Sequence, residues 1–304
     1  MYLPCAAARR VGRYRWRMRV AAVQLATGFD LGENRRLVAD RLAAAAHGGA
    51  ELVVFPEATM ATFGDASFDL SSVAEPLDGP FVTTLAEGAA RHGVVAVAGM
   101  FERAGPAPAV GAGRAFNTVV VVGPDGLLGA YRKLHLFDAL GARESDRVLA
   151  GDPTDGVVTV PLAEGLVLGV LTCYDVRFPE MARALVDRGA TVIALPAHWY
   201  NGPGKAEVWE TLVRARAIES TAYVVAASKP EDEAVGHSMV VDPLGEVLVE
   251  LGGKEEDLAF ADISPARVSA VRTMLPVLEH RRFGVVPRRE LSASDAQVAP
   301  RVGT

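Results

Sequence analysis

Residues 166–180 read Leu166-Val-Leu-Gly-Val-Leu-Thr-Cys173-Tyr-Asp-Val-Arg-Phe-Pro-Glu180, and the change of character along them decides the fold. Leu166 to Thr172 is short, apolar and rich in β-branched residues, which predicts a buried strand. Pro179 then opens a helical stretch, Glu180 to Arg188, that Gly189 stops. Cys173 therefore falls on a strand-to-helix turn, where a side chain stands clear of the sheet beside amides that still lack partners. A thiol so placed is expected to lose its proton more easily and to attack a carbonyl carbon.

The neighbouring sequence continues the pattern. Thr191 to Leu195 reads as a strand, Glu207 to Thr221 as a helix, Ala222 to Ala227 as a strand, and a hairpin turns at Pro243-Leu244-Gly245. The first half has the same order. Arg19 to Gln24 is a strand, Asn34 to His47 carries Leu37, Val38, Leu42 and Ala45 at helical spacing, and Glu51 to Phe55 is the next strand. A helix from Pro80 to Gly93, a strand from Val94 to Ala98 and a hairpin about Pro124-Asp125-Gly126 follow. Near-continuous apolar strands fit sheets covered on both faces. Two such halves predict an α/β protein, a four-layer αββα sandwich of two mixed β-sheets flanked by helices. Ala104 to Gly113 is too short to separate domains, so one domain is expected over residues 18–285, with a leader at 1–17 and a C-terminal tail at 286–304.

The bulk composition narrows the function classes. The 304-residue chain is half hydrophobic and carries a net charge of −6 with signs interspersed, which argues against a nucleic-acid footprint. No apolar run approaches the roughly 20 residues needed to span a bilayer, so no membrane partner is expected. Cys5 and Cys173 are the two cysteines and lack metal spacing, which suits a reducing cytoplasm. The basic leader (Arg9, Arg10, Arg13, Arg15, Arg17) lacks the apolar core of a signal peptide and reads as a disordered or artefactual extension.

Three further residues stand, like Cys173, just beyond apolar runs: Glu57 in Val53-Val-Phe-Pro-Glu57, Lys133 in Tyr131-Arg-Lys133-Leu-His-Leu-Phe137, and Glu144 in the loop after it. Amide hydrolysis through a thioester needs a nucleophile, an acid–base group and positive charge at the developing oxyanion. Cysteine, glutamate and lysine supply these with neither metal nor cofactor. Taken singly, Glu57 also reads as a solvated carboxylate, Lys133 as a surface charge and Cys173 as a small buried hydrophobe.

These segments together resemble the three signature segments of the nitrilase, or carbon–nitrogen hydrolase, superfamily. The likeness extends through Arg214-Ala-Arg-Ala-Ile-Glu219 and the Gly236-His-Ser-Met stretch, over about residues 18–285. It implies the αββα fold, Glu57 as general base and acid, Cys173 as nucleophile, and Lys133 with the Tyr174 backbone amide as oxyanion donors. It implies that Glu144 orients the acyl group and the hydrolytic water, although the stretch from Lys133 to Glu144 is several residues shorter than in close relatives. Cys-Tyr-Asp-x-Arg-Phe-Pro-Glu is similar to Nit-type amidases (ω-amidase, deaminated-glutathione amidase), whereas nitrilases usually show Cys-Trp-Glu. The implied partner is thus a small-molecule amide bearing a carboxylate, and the implied assembly a homodimer. Arg177 is a candidate for that carboxylate or for a structural pair with Asp175 or Glu180. His198 and Trp199, after the neighbouring strand, are candidate substrate-binding residues in the pocket wall, His198 reading equally as a satisfied structural histidine. His135 is expected to orient the strand of Lys133.

Overall fold

The computed structural model describes residues 16–105, 113–230 and 234–287. Most of the leader with Cys5, the centre of the Ala104–Gly113 loop and the tail beyond 287 lie outside the described residues.

Apolar runs of the first half assemble into one sheet. In chain order they are β1 (Met18–Gln24), α1 (Leu31–His47), β2 (Leu52–Val54), α2 (Pro80–His92), β3 (Val95–Arg103), β4 (Ala115–Gly123) and β5 (Gly126–Arg132). The second half supplies β6 (Val148–Leu149), β7 (Thr159–Pro161), β8 (Val167–Val170), α3 (Pro179–Asp187), β9 (Val192–Ala197), α4 (Lys205–Ser220) and β10 (Tyr223–Ser228). It closes with β11 (Met239–Val241), β12 (Val247–Glu250), β13 (Asp257–Ile263) and α5 (Pro265–Met274). The first sheet runs β13-β1-β2-β3-β4-β5, with β6 paired to β4, and the second runs β12-β11-β10-β9-β8-β7. Both are mixed: β1, β2 and β3 lie parallel, as do β8, β9 and β10, and their outer neighbours are antiparallel.

Period-two alternation separates the layers. On β1, Val20 and Ala22 join the core shared with Leu168, Val170, Ala194 and Val225 of the second sheet. Ala21 and Val23 face the other way, into a core with Val38, Leu42 and Ala45 of α1 and Phe81 and Leu85 of α2. Met181 and Leu185 of α3 and Trp209 and Val213 of α4 cover the second sheet, which gives the αββα order.

Element ends differ from the sequence reading for local reasons. Asp30 caps α1 by accepting from Gly32 and Glu33 amides at 2.8 and 2.9 Å, so the helix starts before Asn34. β3 continues past its apolar run because buried Glu102 is satisfied by Thr118 (2.8 Å) and Arg132 (2.9 Å). A larger correction concerns the two matching halves. β13, whose seven residues show no clean alternation, crosses back to pair with all of β1 and covers an otherwise open edge of the first sheet.

The strand ends position the site. Glu57 follows β2, Lys133 follows β5, Cys173 follows β8 and His198 follows β9. Parallel registration of β8 on β9 (Val170 beside Ala194) brings the ends carrying Cys173 and His198 to one rim. Gly99 on β3 lets the backbone of Glu57 close on the sheet: a Cβ there would stand 2.5 Å from Ala58 N and 2.8 Å from Glu57 Cα. Gly99→Ala is therefore expected to cost about 1–3 kcal/mol through overpacking and to lower turnover by displacing Glu57; thermal unfolding and steady-state rates check both.

Candidate active site

Glu57, Lys133, Glu144 and Cys173 line one cleft of about 380 Å³. Glu57 and Lys133, each with a surface alternative on sequence grounds, are 1% and 2% exposed. Lys133 Nζ donates to Glu57 Oε1 at 2.9 Å and to both oxygens of Glu144 at 3.1 and 2.9 Å. Glu57 Oε2 accepts the His198 amide at 2.9 Å, and Glu144 Oε2 accepts the Phe137 amide at 2.7 Å. The second contact folds the loop after Lys133 back on itself, so Glu144 reaches the lysine despite the short connection.

Asn117 is the site residue that the sequence reading missed. It is fully buried on β4, and its Nδ2 bridges Glu57 Oε1 (2.8 Å) and Glu144 Oε1 (3.0 Å). The signal was present: an amide inside the apolar run Phe116-Asn-Thr-Val needs buried partners.

Cys173 opens a short 3-10 turn, residues Cys173–Arg177, that intervenes between β8 and α3. The chain enters it through a left-handed cysteine, φ 45°, a conformation that costs a non-glycine residue about 1–3 kcal/mol and persists only where the surroundings enforce it. Ala58 and Leu140, beside the two glutamate-bearing segments, also have positive φ (52° and 54°). Tyr174 lies in the opening turn, where N–H groups lack acceptors within the helix.

Asp175 enforces that turn. Fully buried, it accepts from Tyr131 Oη (2.7 Å), the Thr172 amide (3.1 Å) and the His135 amide (3.3 Å), with His135 Nδ1 at 2.7 Å. His135 also stacks on Phe178, with 3.7 Å between ring centroids. One carboxylate thus ties the end of β5, which carries Lys133, to the turn that carries Cys173. Arg216 of α4 holds the same turn from another side by donating to Val176 O at 2.7 Å.

The expectation of an easily ionised thiol is corrected. Burial and then the Glu57 carboxylate push the Cys173 thiol well above its ordinary value; Lys133 pulls the other way and is outweighed. Burial acts against the Lys133 ammonium, but Glu144 and Glu57 prevail and hold its pKa well above the usual lysine value. At neutral pH the site therefore rests as a protonated thiol beside a charged lysine.

The remaining candidates divide. His198 contributes main-chain groups to the site: besides its amide on Glu57, its carbonyl lies 3.6 Å from Cys173 Sγ. Its ring lies in the cleft wall beside Phe63 and Tyr200. Trp199 also lines the cleft, its indole nitrogen donating to Lys205 O at 3.1 Å. Arg177 is outside the cleft lining, exposed, with its guanidinium 4.9 Å from the Trp199 ring centre. Asp175, one of its suggested partners, is committed elsewhere. Among the described residues no group of three or more His, Cys, Asp or Glu is arranged to hold a metal ion, and no helix is long and apolar enough to cross a membrane.

The raised thiol pKa fixes a pH dependence. A thiol titrating above 9.0 stays neutral through the physiological range, so the thiolate absorbance difference between the protein and Cys173→Ala should show no step below pH 9. A step at or below neutrality would contradict the resting state described above.

Comparison with known proteins gives the family of the chain. The family pattern described as carbon-nitrogen hydrolase matches residues 19–273. The hydrolase Rv0480c of Mycobacterium tuberculosis is 40% identical over 281 residues, covering 87% of this chain and 95% of that protein. The deaminated glutathione amidase of Escherichia coli O157:H7 is 38% identical over 267 residues, covering 88% and 98%. The crystal structure of XC1258 from Xanthomonas campestris, described as a CN-hydrolase superfamily protein, superposes with a TM-score of 0.77 at 28% identity, covering 90% of this chain and 100% of that one. With its sheet order, its cleft and these matches, the chain belongs to the carbon–nitrogen hydrolase family and is a hydrolase of carbon–nitrogen bonds.

Proposed function

We propose that the protein is a cysteine-dependent amidase that converts a small carboxylate-bearing amide to the acid and ammonia through a thioester. The observation that carries this reading is the buried cluster in which Lys133 is shared by Glu57 and Glu144 beside Cys173.

Glu57, whose carboxylate lies close enough to Cys173 to raise the thiol's pKa, takes its proton as Sγ attacks the amide carbon. Proton transfer coupled to attack suits a thiol whose resting pKa is high, because an isolated thiolate in this buried site is disfavoured. The carbonyl oxygen becomes an oxyanion, held by Lys133 Nζ and the Tyr174 amide. Glu57 returns the proton to the amide nitrogen, the C–N bond breaks, and ammonia leaves. Glu57 then takes a proton from water as the water oxygen attacks the thioester. Collapse of the second tetrahedral intermediate releases the acid, and the proton returns to the sulfur. Glu144, fixed by Lys133, Asn117 and the Phe137 amide, orients the acyl group and that water.

The amide reading is supported by the similarity to a deaminated glutathione amidase and by the tyrosine and aspartate that follow the nucleophile. The test is ammonia release from succinamate, α-ketoglutaramate, deaminated glutathione, glutamine, an N-carbamoyl amino acid and a simple nitrile. Carboxylate-bearing amides are expected to turn over and Cys173→Ala to reduce release to background. Lys133→Met, which removes one oxyanion donor, should lower kcat about 100- to 1000-fold or more. Release confined to the nitrile or the carbamoyl compound, or release that persists in Cys173→Ala, would overturn the assignment.

A further inference from the structure

Besides Lys133, three cations line the cleft: Arg143, Arg147 and Lys205. Two are occupied. Arg143 pairs with Asp146 at 3.4 Å. Arg147 Nη1 donates to the carbonyls of Phe63 (2.9 Å) and Asp65 (2.8 Å), which pins the loop at one edge of the cleft. Of the acidic residues near them, Asp65 accepts from its own loop at Ser67, with its amide at 2.8 Å and its hydroxyl at 2.6 Å. Lys205 differs. Among the described residues no carboxylate lies within the 4.0 Å of an ion pair from its Nζ.

Lys205 is nevertheless held in place. It is the first residue of α4, and its carbonyl accepts the Trp199 indole N–H at 3.1 Å. Its ammonium sits 5.2 Å from the centre of the Trp199 ring and 5.9 Å from that of Phe137. Both aromatics line the cleft, so the charge is directed by two π faces rather than left to sample solvent. The Arg177 guanidinium lies on the same indole, 4.9 Å from its centre, and among the described residues it too has no carboxylate partner. Two cations that share one ring without an anion repel each other. Burial and then Arg177 lower the Lys205 pKa, and Cys173 is close enough to oppose them. A bound carboxylate would relieve this repulsion and would meet the exposed amides at the start of α4.

We propose that Lys205 is the specificity residue of the cleft, binding the terminal carboxylate of the acyl chain while Cys173 attacks the amide at the other end. Arg177, outside the cleft lining, reinforces the field through its place on Trp199. This rests on the amidase reading and narrows the substrate to a short ω-monoamide of a dicarboxylic acid. It moves carboxylate recognition from Arg177, where the sequence suggested it, to a lysine 28 residues further along the chain on α4.

The test compares succinamate with butyramide, which has the same chain length and no charge, in the wild type, Lys205→Met and Lys205→Arg. Lys205→Met should lower the ratio of kcat/KM for succinamate over butyramide by about tenfold or more, the usual scale for a lost charge-assisted contact. The change should fall mainly in KM, and Lys205→Arg should recover part of it. An unchanged ratio, or a fall shared equally by both amides, would overturn the proposal. Calorimetric binding of succinate to Cys173→Ala, with and without Lys205→Met, reads the same contact without turnover. Succinate affinity that is indifferent to Lys205 counts against the proposal. Lys205-dependent binding in a protein whose wild type hydrolyses neither these amides nor α-ketoglutaramate nor deaminated glutathione would overturn the amidase reading and leave the carboxylate site standing.

Discussion

The arrangement of the site depends on a single buried ammonium. Lys133 carries the positive charge among Glu57, Glu144 and a neutral thiol, and without it two carboxylates would face each other where Glu57 is almost fully buried. Breaking such a buried pair from one side typically costs about 3–5 kcal/mol, because the remaining charge has no solvent to take its place. The geometry of both glutamates follows from this demand. Each aims an oxygen at Nζ, each shares the Asn117 amide, and each gives its other oxygen to a backbone N–H. Carboxylates held at both oxygens have little freedom to reorganise. Preorganisation of this kind is what electrostatic stabilisation of an oxyanion requires.

The scaffold's contribution is to bring separate strand ends to one point and hold them there. Asp175 matters as much as any residue in the cleft. Through Tyr131 and His135 it fastens the end of β5 to the turn after β8, so the lysine and the cysteine are positioned by one carboxylate. The left-handed backbone of Cys173 is sustained by these contacts and by the Arg216 bond to Val176 O. Gly99 does the equivalent at Glu57 by omitting a side chain. Strain and close approach therefore gather where Glu57 and Cys173 meet, and the apolar sheets on either side supply the rigidity that maintains them.

Much of this was legible in the residues. Continuous apolar runs such as Val192–Ala197 and Tyr223–Ser228 announced strands covered on both faces, and Pro80, Pro179, Gly93 and Gly189 marked helix ends. Taken singly, Glu57, Lys133 and Cys173 each had an ordinary structural reading, and it was the resemblance of their three segments to the carbon–nitrogen hydrolases that grouped them. What escaped the reading depends on distant partners. β13 is recognisable as a strand only once β1 is there to pair with it. Asn117 becomes informative when two glutamates converge on it, and Asp175 when Tyr131 and His135 arrive from another sheet. The thiol's protonation was misjudged because the turn suggested stabilising amides, whereas burial and Glu57 dominate. Arg177 was a candidate for a carboxylate because a guanidinium matches its geometry, and Lys205 was not singled out; the fold places Lys205 in the cleft lining and Arg177 outside it.

The central claim is that Cys173 becomes acylated in the course of amide hydrolysis. Acid-quenched mass spectrometry of the peptide containing Cys173, taken during turnover of succinamate by Glu144→Gln, tests it most directly. Deacylation should be slowed in that variant, so the account expects the peptide to gain the mass of one succinyl group, and an adduct absent in Glu144→Gln/Cys173→Ala. Ammonia release with the peptide unmodified, at a rate that Cys173→Ala does not change, would contradict it.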